Sequence, residues 1–454
     1  MTTRITDSPL YEHLWGTDEA RAVLGEEGRL RGWLEVIAAL ARAQAAAGVI
    51  PASAASLITE HARADRIDVR QAAEQTRLTS HSMLGLIRAL QASLPPGARE
   101  YVYAGATVQD ITDTWTALAM RAIGAIAWRD LRHVEDLLLD LAVKHRSTVM
   151  AGRTHGQPGS PVTFGWKAAS WADEVRRHLD RLRNGAPRWL VGQLGGGVGS
   201  LVFYGERGPV VRARFCAELG LADPGISWLS ARDRGAEFGH VLAAVCGTLA
   251  RIGGEVYELQ RPEIGELAEP APAGTAGSIT MPHKRNPEAS EHLDTLARLA
   301  RANAAVLLEG MAHQHERDGR TWKAEWVALP EVCLLAATAL RLAVGLLTGL
   351  TVDAEAMRRN LALRGGYAVS ERALGVLAPR LGPRAAQERL AEVLRDGSAA
   401  GLTAEQALAG AGLLSPEEAR LLAEEPDPGC CERMTDLVVE RARAARAAEP
   451  ARWP

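Results

Sequence analysis

A chain of 454 residues is too long for one small core, so two or three domains are expected. With 47% apolar and 24% charged residues it reads as an ordinary globular protein. A net charge of −3 gives no reason to expect nucleic acid or another polyanion as partner. Aromatic residues make up only 5%, and the abundance of Ala, Leu and Arg favours helix.

At the N-terminus, Met1 to Leu10 lack the basic segment and apolar run of a secretory signal. No window holds the eighteen or so uninterrupted apolar residues of a membrane span. The nearest, Val332 to Leu340, is cut by Thr338 and followed by Arg341. Cys216, Cys246, Cys333, Cys430 and Cys431 form no regular framework, and none stands at metal-ligand spacing from a histidine. Reduced thiols in a cytoplasmic protein are expected, with no metal and no cofactor. The adjacent Cys430-Cys431 pair reads as incidental.

Residues 1–105 read as shorter helices broken at Gly and Pro, as in Gly48-Val49-Ile50-Pro51. Residues 106–350 hold longer ones. Leu118, Ile126, Leu131, Val134, Leu138 and Leu141 recur at near-helical spacing, and Phe238, Leu242, Val245, Leu249, Ile252, Val256 and Leu259 step by three and four. A further run starts after Pro287 at Leu293, Leu296 and Leu299 and continues, with a break, to about Leu350. Residues 351–454 return to shorter helices separated by Gly366, Gly382-Pro383 and Gly397. The only strand candidates are the short stretches 188–193 and 201–204. The expectation is an all-α protein of three regions around a long central helix bundle. Helices of that length bury their stripes best against one another, which predicts oligomerisation.

Four polar clusters interrupt these patterns. In Gly105 to Asp110, Thr107 and Gln109 are carboxylate-binding candidates, while Thr107 with Asp110 reads equally as a helix N-cap. In Gly152 to Pro158, Thr154 and His155 sit on a short Gly-flanked loop, a setting that favours function over a structural histidine. The third, Gly277 to Pro287, places Ser278, Lys284 and Asn286 within ten residues. A hydroxyl becomes a base only when its oxyanion is stabilised, which Lys284 and backbone N–H groups can do. Proton removal beside a carboxylate makes a doubly charged aci-carboxylate, for which Lys284 and Asn286 are suitable donors. The alternative is a Pro/Gly linker with scattered charge. The fourth, His315 to Lys323, offers Arg317 as a carboxylate clamp or, equally, a solvated helix end. Leu194 to Gly199 is rejected as a nucleotide loop because it fits neither the dinucleotide nor the P-loop spacing.

In chain order these clusters resemble the aspartase/fumarase superfamily of elimination lyases. The likeness runs from about Leu30 to Leu361. Gly277 to Pro287 is similar to the superfamily's Gly-Ser-Ser-x-Met-Pro-x-Lys-x-Asn-Pro signature at every fixed position but one, Gly105 to Asp110 to its Gly-x-Thr-Ser-x-Asp segment, and Arg153-Thr154-His155 to its Thr-His segment. The resemblance implies a three-domain helical subunit (1–105, 106–350 and 351–454) and a homotetramer whose active sites are each shared by three subunits. It implies Ser278 as the base, His155 as proton donor or leaving-group stabiliser, and Glu291, seven residues past Lys284, as the partner of that histidine. Thr107, Gln109, Thr154, Met281, Lys284, Asn286 and Arg317 are then expected around a small dicarboxylate.

Within the superfamily, the stretches around Trp33-Leu34-Glu35 and Arg232-Asp233-Arg234 resemble adenylosuccinate lyases and 3-carboxy-cis,cis-muconate cycloisomerases. The segment His315 to Trp326 is more similar to the cycloisomerases, whereas His81 matches a substrate-binding histidine of the adenylosuccinate branch. Val108 and Ile279 each replace a usual Ser, Ser230-Ala231 replaces Thr-Gln, and Trp326 stands where adenylosuccinate lyases tend to carry Arg. An Arg-Tyr-Ser phosphate-binding segment is missing near the N-terminus. These losses argue against a nucleotide leaving group. The expected activity is fumarate release from a small C2-substituted succinate, with C–N cleavage favoured and nitrosuccinate as one example. Alternatives are the cycloisomerase, adenylosuccinate lyase and a non-catalytic structural relative.

Overall fold

Leu131, Val134, Leu138 and Ala142 line one face of a helix that runs unbroken for 37 residues, from Val108 to Lys144. The computed structural model, which describes residues 4–454 except 272, 273, 275, 276, 282, 364 and 425, builds the rest of the chain around it. Before it come α1 (Asp18–Leu24), α2 (Glu26–Ala46), α3 (Ala52–His61), α4 (Val69–Thr79), α5 (Leu84–Ser93) and the single turn α6 (Pro96–Arg99), so the long helix is α7. After it come α8 (Phe164–Trp189), α9 (Gly208–Glu218), α10 (Asp233–Leu259), α11 (Glu288–Glu309) and α12 (Gly319–Thr348). Helices α7, α8, α10, α11 and α12 pack into a five-helix bundle, and α2 packs along α7 and α9.

Five shorter helices follow, α13 (Ala354–Ala362), α14 (Ser370–Leu381), α15 (Pro383–Ala399), α16 (Ala404–Gly410) and α17 (Pro416–Glu424), before α18 (Cys431–Ala448) returns to pack on α8 and α7. The protein is thus all-α, as its composition suggests. One apolar core runs from Ala20 through the bundle to Met357 and takes in Val439 and Ala442 of α18, whereas a second, smaller core is confined to Val369–Leu422. α12 is long and apolar enough to cross a membrane, but Val332, Leu335, Leu340 and Leu346 are buried against its bundle neighbours.

The strand expectations need correction. Residues 188–189 end α8, and Val202–Arg207 is a 3-10 helix. The strands are instead β1 (Val149–Thr154) paired antiparallel with β2 (Gln157–Thr163), and the short pair β3 (Leu267–Ala268) with β4 (Thr351–Val352). In β1 and β2, Gly152, Pro158 and Pro161 break any alternating pattern, and the register slips between Ala151 and Arg153.

Polar ties fix how the bundle's two ends are built. At the near end, where α7, α10 and α12 begin and α8 finishes, the buried Arg232 guanidinium bonds Asp113 (2.7 and 3.1 Å) and Glu325 (2.8 and 2.6 Å). Three helix starts are held by one cation. At the far end, β1, β2, β3, β4 and the start of α11 gather around the Glu266 to Glu269 segment.

Candidate active site

The third polar cluster is a loop closed at its root. Glu269 accepts from the N–H groups of Ala289 (3.1 Å) and Ser290 (2.8 Å), so the residue that precedes the loop also caps the helix that follows it. Within the loop the chain doubles back tightly: a Cβ built on Gly277 would stand 2.3 Å from the Lys284 carbonyl oxygen. That closure brings the N–H of Met281 to 3.1 Å from Ser278 Oγ, which accepts its hydrogen bond. A backbone donor aimed at a serine oxygen favours its anionic form. Lys284 and Met281 are exposed, Asn286 is half-buried with Nδ2 3.4 Å from Glu288, and Ile279 is 98% exposed. Pro282 of the same motif lies outside the described residues.

His155 stands at the tip of the β1–β2 hairpin. Its φ of 52° and that of Gly156, 73°, make the two-residue turn between Thr154 and Gln157 one in which both central residues are left-handed. Such turns match the twist of paired strands, and a histidine tolerates that backbone better than bulky residues do. Thr154, His155 and Gln157 are exposed. The strand beneath them is anchored by Arg153, whose guanidinium bonds the fully buried Glu266 carboxylate (2.9 Å to one oxygen), which also accepts from Asn360 Nδ2 (2.8 Å). Glu291 lies in the exposed first turn of α11, and no bond between it and His155 occurs within one chain among the described residues.

The remaining candidates occupy the near end. Thr107 is the N-cap of α7, and its N–H bonds Asp110 Oδ2 (2.9 Å), so the capping arrangement is present. Asp110 also accepts from Gly195 N–H (2.9 Å), Gly196 N–H (3.0 Å) and Gln193 Nε2 (3.1 Å). The glycine loop thus wraps a carboxylate of its own chain, in keeping with the rejected nucleotide reading. Gln109 is fully buried and donates to the Leu229 carbonyl (2.7 Å), while its Oε1 has no partner. His81 is exposed, and its Nδ1 accepts from Leu84 N–H (3.1 Å) at the start of α5. Arg317 is exposed. Of the positions where the sequence departs from the motifs, Val108 is buried in the core, Ala231 is exposed, and Trp326 stacks edge-on to Trp322 at 4.8 Å.

Tyr103 joins this group without a sequence signal. It is half-buried at a φ of 64°, an uncommon backbone for a bulky residue. Burial, and secondarily the Asp110 charge, raise its phenol above the usual range, against the opposing effects of Arg317 and a hydrogen bond with Thr107. Tyr103 thus lies within electrostatic reach of Thr107, Asp110 and Arg317.

One subunit does not unite the two ends. With 37 residues in α7, Thr107 and the root of the hairpin are about 55 Å apart along the helix. Even if the six-residue β1 folded straight back, about 35 Å would remain. The serine loop is rooted at the hairpin's end.

Residues 14–301 match a family described as lyase. The chain is 42% identical over 392 residues to N-acetyl-S-(2-succino)cysteine lyase of Dickeya dadantii, covering 86% of each, and 38% identical over 422 residues to nitrosuccinate lyase of Streptomyces davaonensis, covering 90% of this chain and 88% of the relative. Its fold is similar to the crystal structure of 3-carboxy-cis,cis-muconate lactonizing enzyme from Pseudomonas putida, with a TM-score of 0.89 at 35% identity over 96% of this chain and 99% of that one.

Proposed function

The chain belongs to the aspartase/fumarase superfamily of lyases, and from that premise we propose that it releases fumarate from a small succinate substituted at C2, breaking a carbon–nitrogen bond. The observation that carries the reading is the Met281 N–H donated to Ser278 Oγ inside the closed loop. In the proposed reaction Ser278 takes the C3 proton, and the C3–H electron pair moves onto the neighbouring carboxylate as an aci-carboxylate held by Lys284 and Asn286. That pair then returns to form the C2=C3 bond as the C2–N pair departs with the leaving group. An amine requires a proton from His155; nitrite leaves as the anion and requires only stabilisation.

The two ends of the bundle do not meet within one chain. We therefore propose an oligomer, a homotetramer in keeping with the superfamily, in which Thr107, Arg317 and His81 of one subunit face Ser278 or His155 of others. The bare Ile279 on the catalytic loop supports this, since an isoleucine 98% exposed gains by being covered. A second reading, cleavage of a carbon–sulfur bond, is supported by the 42% identity to a relative whose name places a succino group on cysteine sulfur.

The test is absorbance of new fumarate from nitro-, amino- and amidino-succinate and from an S-succinylated cysteine, beside consumption of a carboxymuconate. Fumarate from a nitrogen-substituted succinate supports the proposal. Fumarate from the thioether alone favours the second reading, and carboxymuconate consumption without any fumarate overturns both.

A further inference from the structure

A cavity of about 510 Å³ lies between α2, α4, α5, α7 and α12, and none of the residues assigned above to the elimination lines it. Its walls carry four indoles in two edge-to-face pairs, Trp33 with Trp115 (6.2 Å) and Trp322 with Trp326 (4.8 Å), with Met120 and Leu329 between them. We infer that this cavity is a binding site for a planar aromatic molecule of one or two rings that carries no negative charge.

Each attribute follows from the walls. An apolar cavity of about 150 Å³ suffices for benzene, so a space of this size takes a larger ring system, and paired indoles offer ring faces and edges to stack against. The Nε1 of Trp322 is already donated to Asp113 (3.3 Å) and that of Trp33 is sealed from the space, so the walls offer ring surface rather than indole donors.

The exclusion of anions follows from charge. Asp113 and Glu325 face Arg232, which bonds both, and at the other end Arg29 lies over the Trp33 ring at 5.7 Å beside Glu26. These groups sum to one net negative charge, which repels a dicarboxylate and separates this site from the elimination chemistry. The outer wall is α4, a helix with no fully buried side chain, whose Val69, Ala72 and Thr76 face the space. An element so lightly packed can part to admit a ligand.

The test uses the full-length protein and the neutral ketone dye 6-propionyl-2-(dimethylamino)naphthalene, whose emission moves to the blue in apolar surroundings. Saturable binding at micromolar concentration with a blue shift is expected. Ala119→Leu, which fills the space from α7, should weaken it at least tenfold, and Trp33→Leu, which removes one aromatic wall, about fivefold. Absence of a saturable shift overturns the inference, as does equal binding by both variants and the parent protein. A shift that appears only when the protein is diluted into single subunits also overturns it, because a second copy then fills the space.

Discussion

At the scale of single residues, the proposed chemistry centres on Ser278 and its backbone donor. Ser278→Ala should lower turnover by at least three orders of magnitude, because the hydroxyl is the base, while circular dichroism and size-exclusion profiles stay those of the parent. Retained turnover would remove Ser278 from the mechanism. Gly277→Ala acts on the same bond indirectly: the added methyl meets the Lys284 carbonyl and must open the loop, so kcat should fall while the melting temperature moves little. His178 gives a separate residue-scale effect. Burial, then the neighbouring Arg181, lowers its imidazole to about 4 from 6.5, and its Nε2 pairs with Thr248 Oγ1 at 2.7 Å. The folded state holds this histidine neutral, so its contribution is intact above pH 6.5 and is lost as pH falls towards 4. Urea unfolding should show a loss of about 3 kcal/mol across that window, and His178→Gln should flatten it.

At the scale of elements, the hairpin that carries His155 depends on Arg153. Arg153→Ala leaves the Glu266 carboxylate buried without its cation, which should cost about 3 kcal/mol in urea unfolding and lower kcat through a misplaced His155. A double substitution with Glu266→Gln should restore part of the stability; no recovery would mean that the pair does not hold the strand. The helices of the bundle were legible in sequence because their apolar residues repeat every three or four positions, and α7, α10, α11 and α12 lie close to where those repeats predict. The hairpin was not legible. Its Gly and Pro residues hide the strand period, and its turn depends on a left-handed histidine that composition does not reveal. The polar clusters stood out as breaks in helical pattern, whereas Tyr103 and the Arg232 tie became visible only through long-range packing. Gln109, a carboxylate-binding candidate by residue type, is fully buried against Leu229, a fate that residue type alone does not convey.

At the scale of the whole molecule, the decisive feature is length. A 37-residue helix holds Thr107 and the serine loop at opposite ends of each subunit, so the proposed site requires copies packed antiparallel. Thr107→Val removes the hydroxyl proposed to bind substrate, together with its half of the capping box, and keeps the half in which the Thr107 N–H bonds Asp110. It and Ser278→Ala should each be inactive alone, by different routes. The most direct measurement is fumarate release from the preferred succinate after the two inactive variants are unfolded together and refolded as mixed oligomers. Recovery of about a quarter of parental activity is predicted, since some sites then combine an intact Thr107 from one chain with an intact Ser278 from another. A mixture as inactive as its components would contradict a site assembled between subunits.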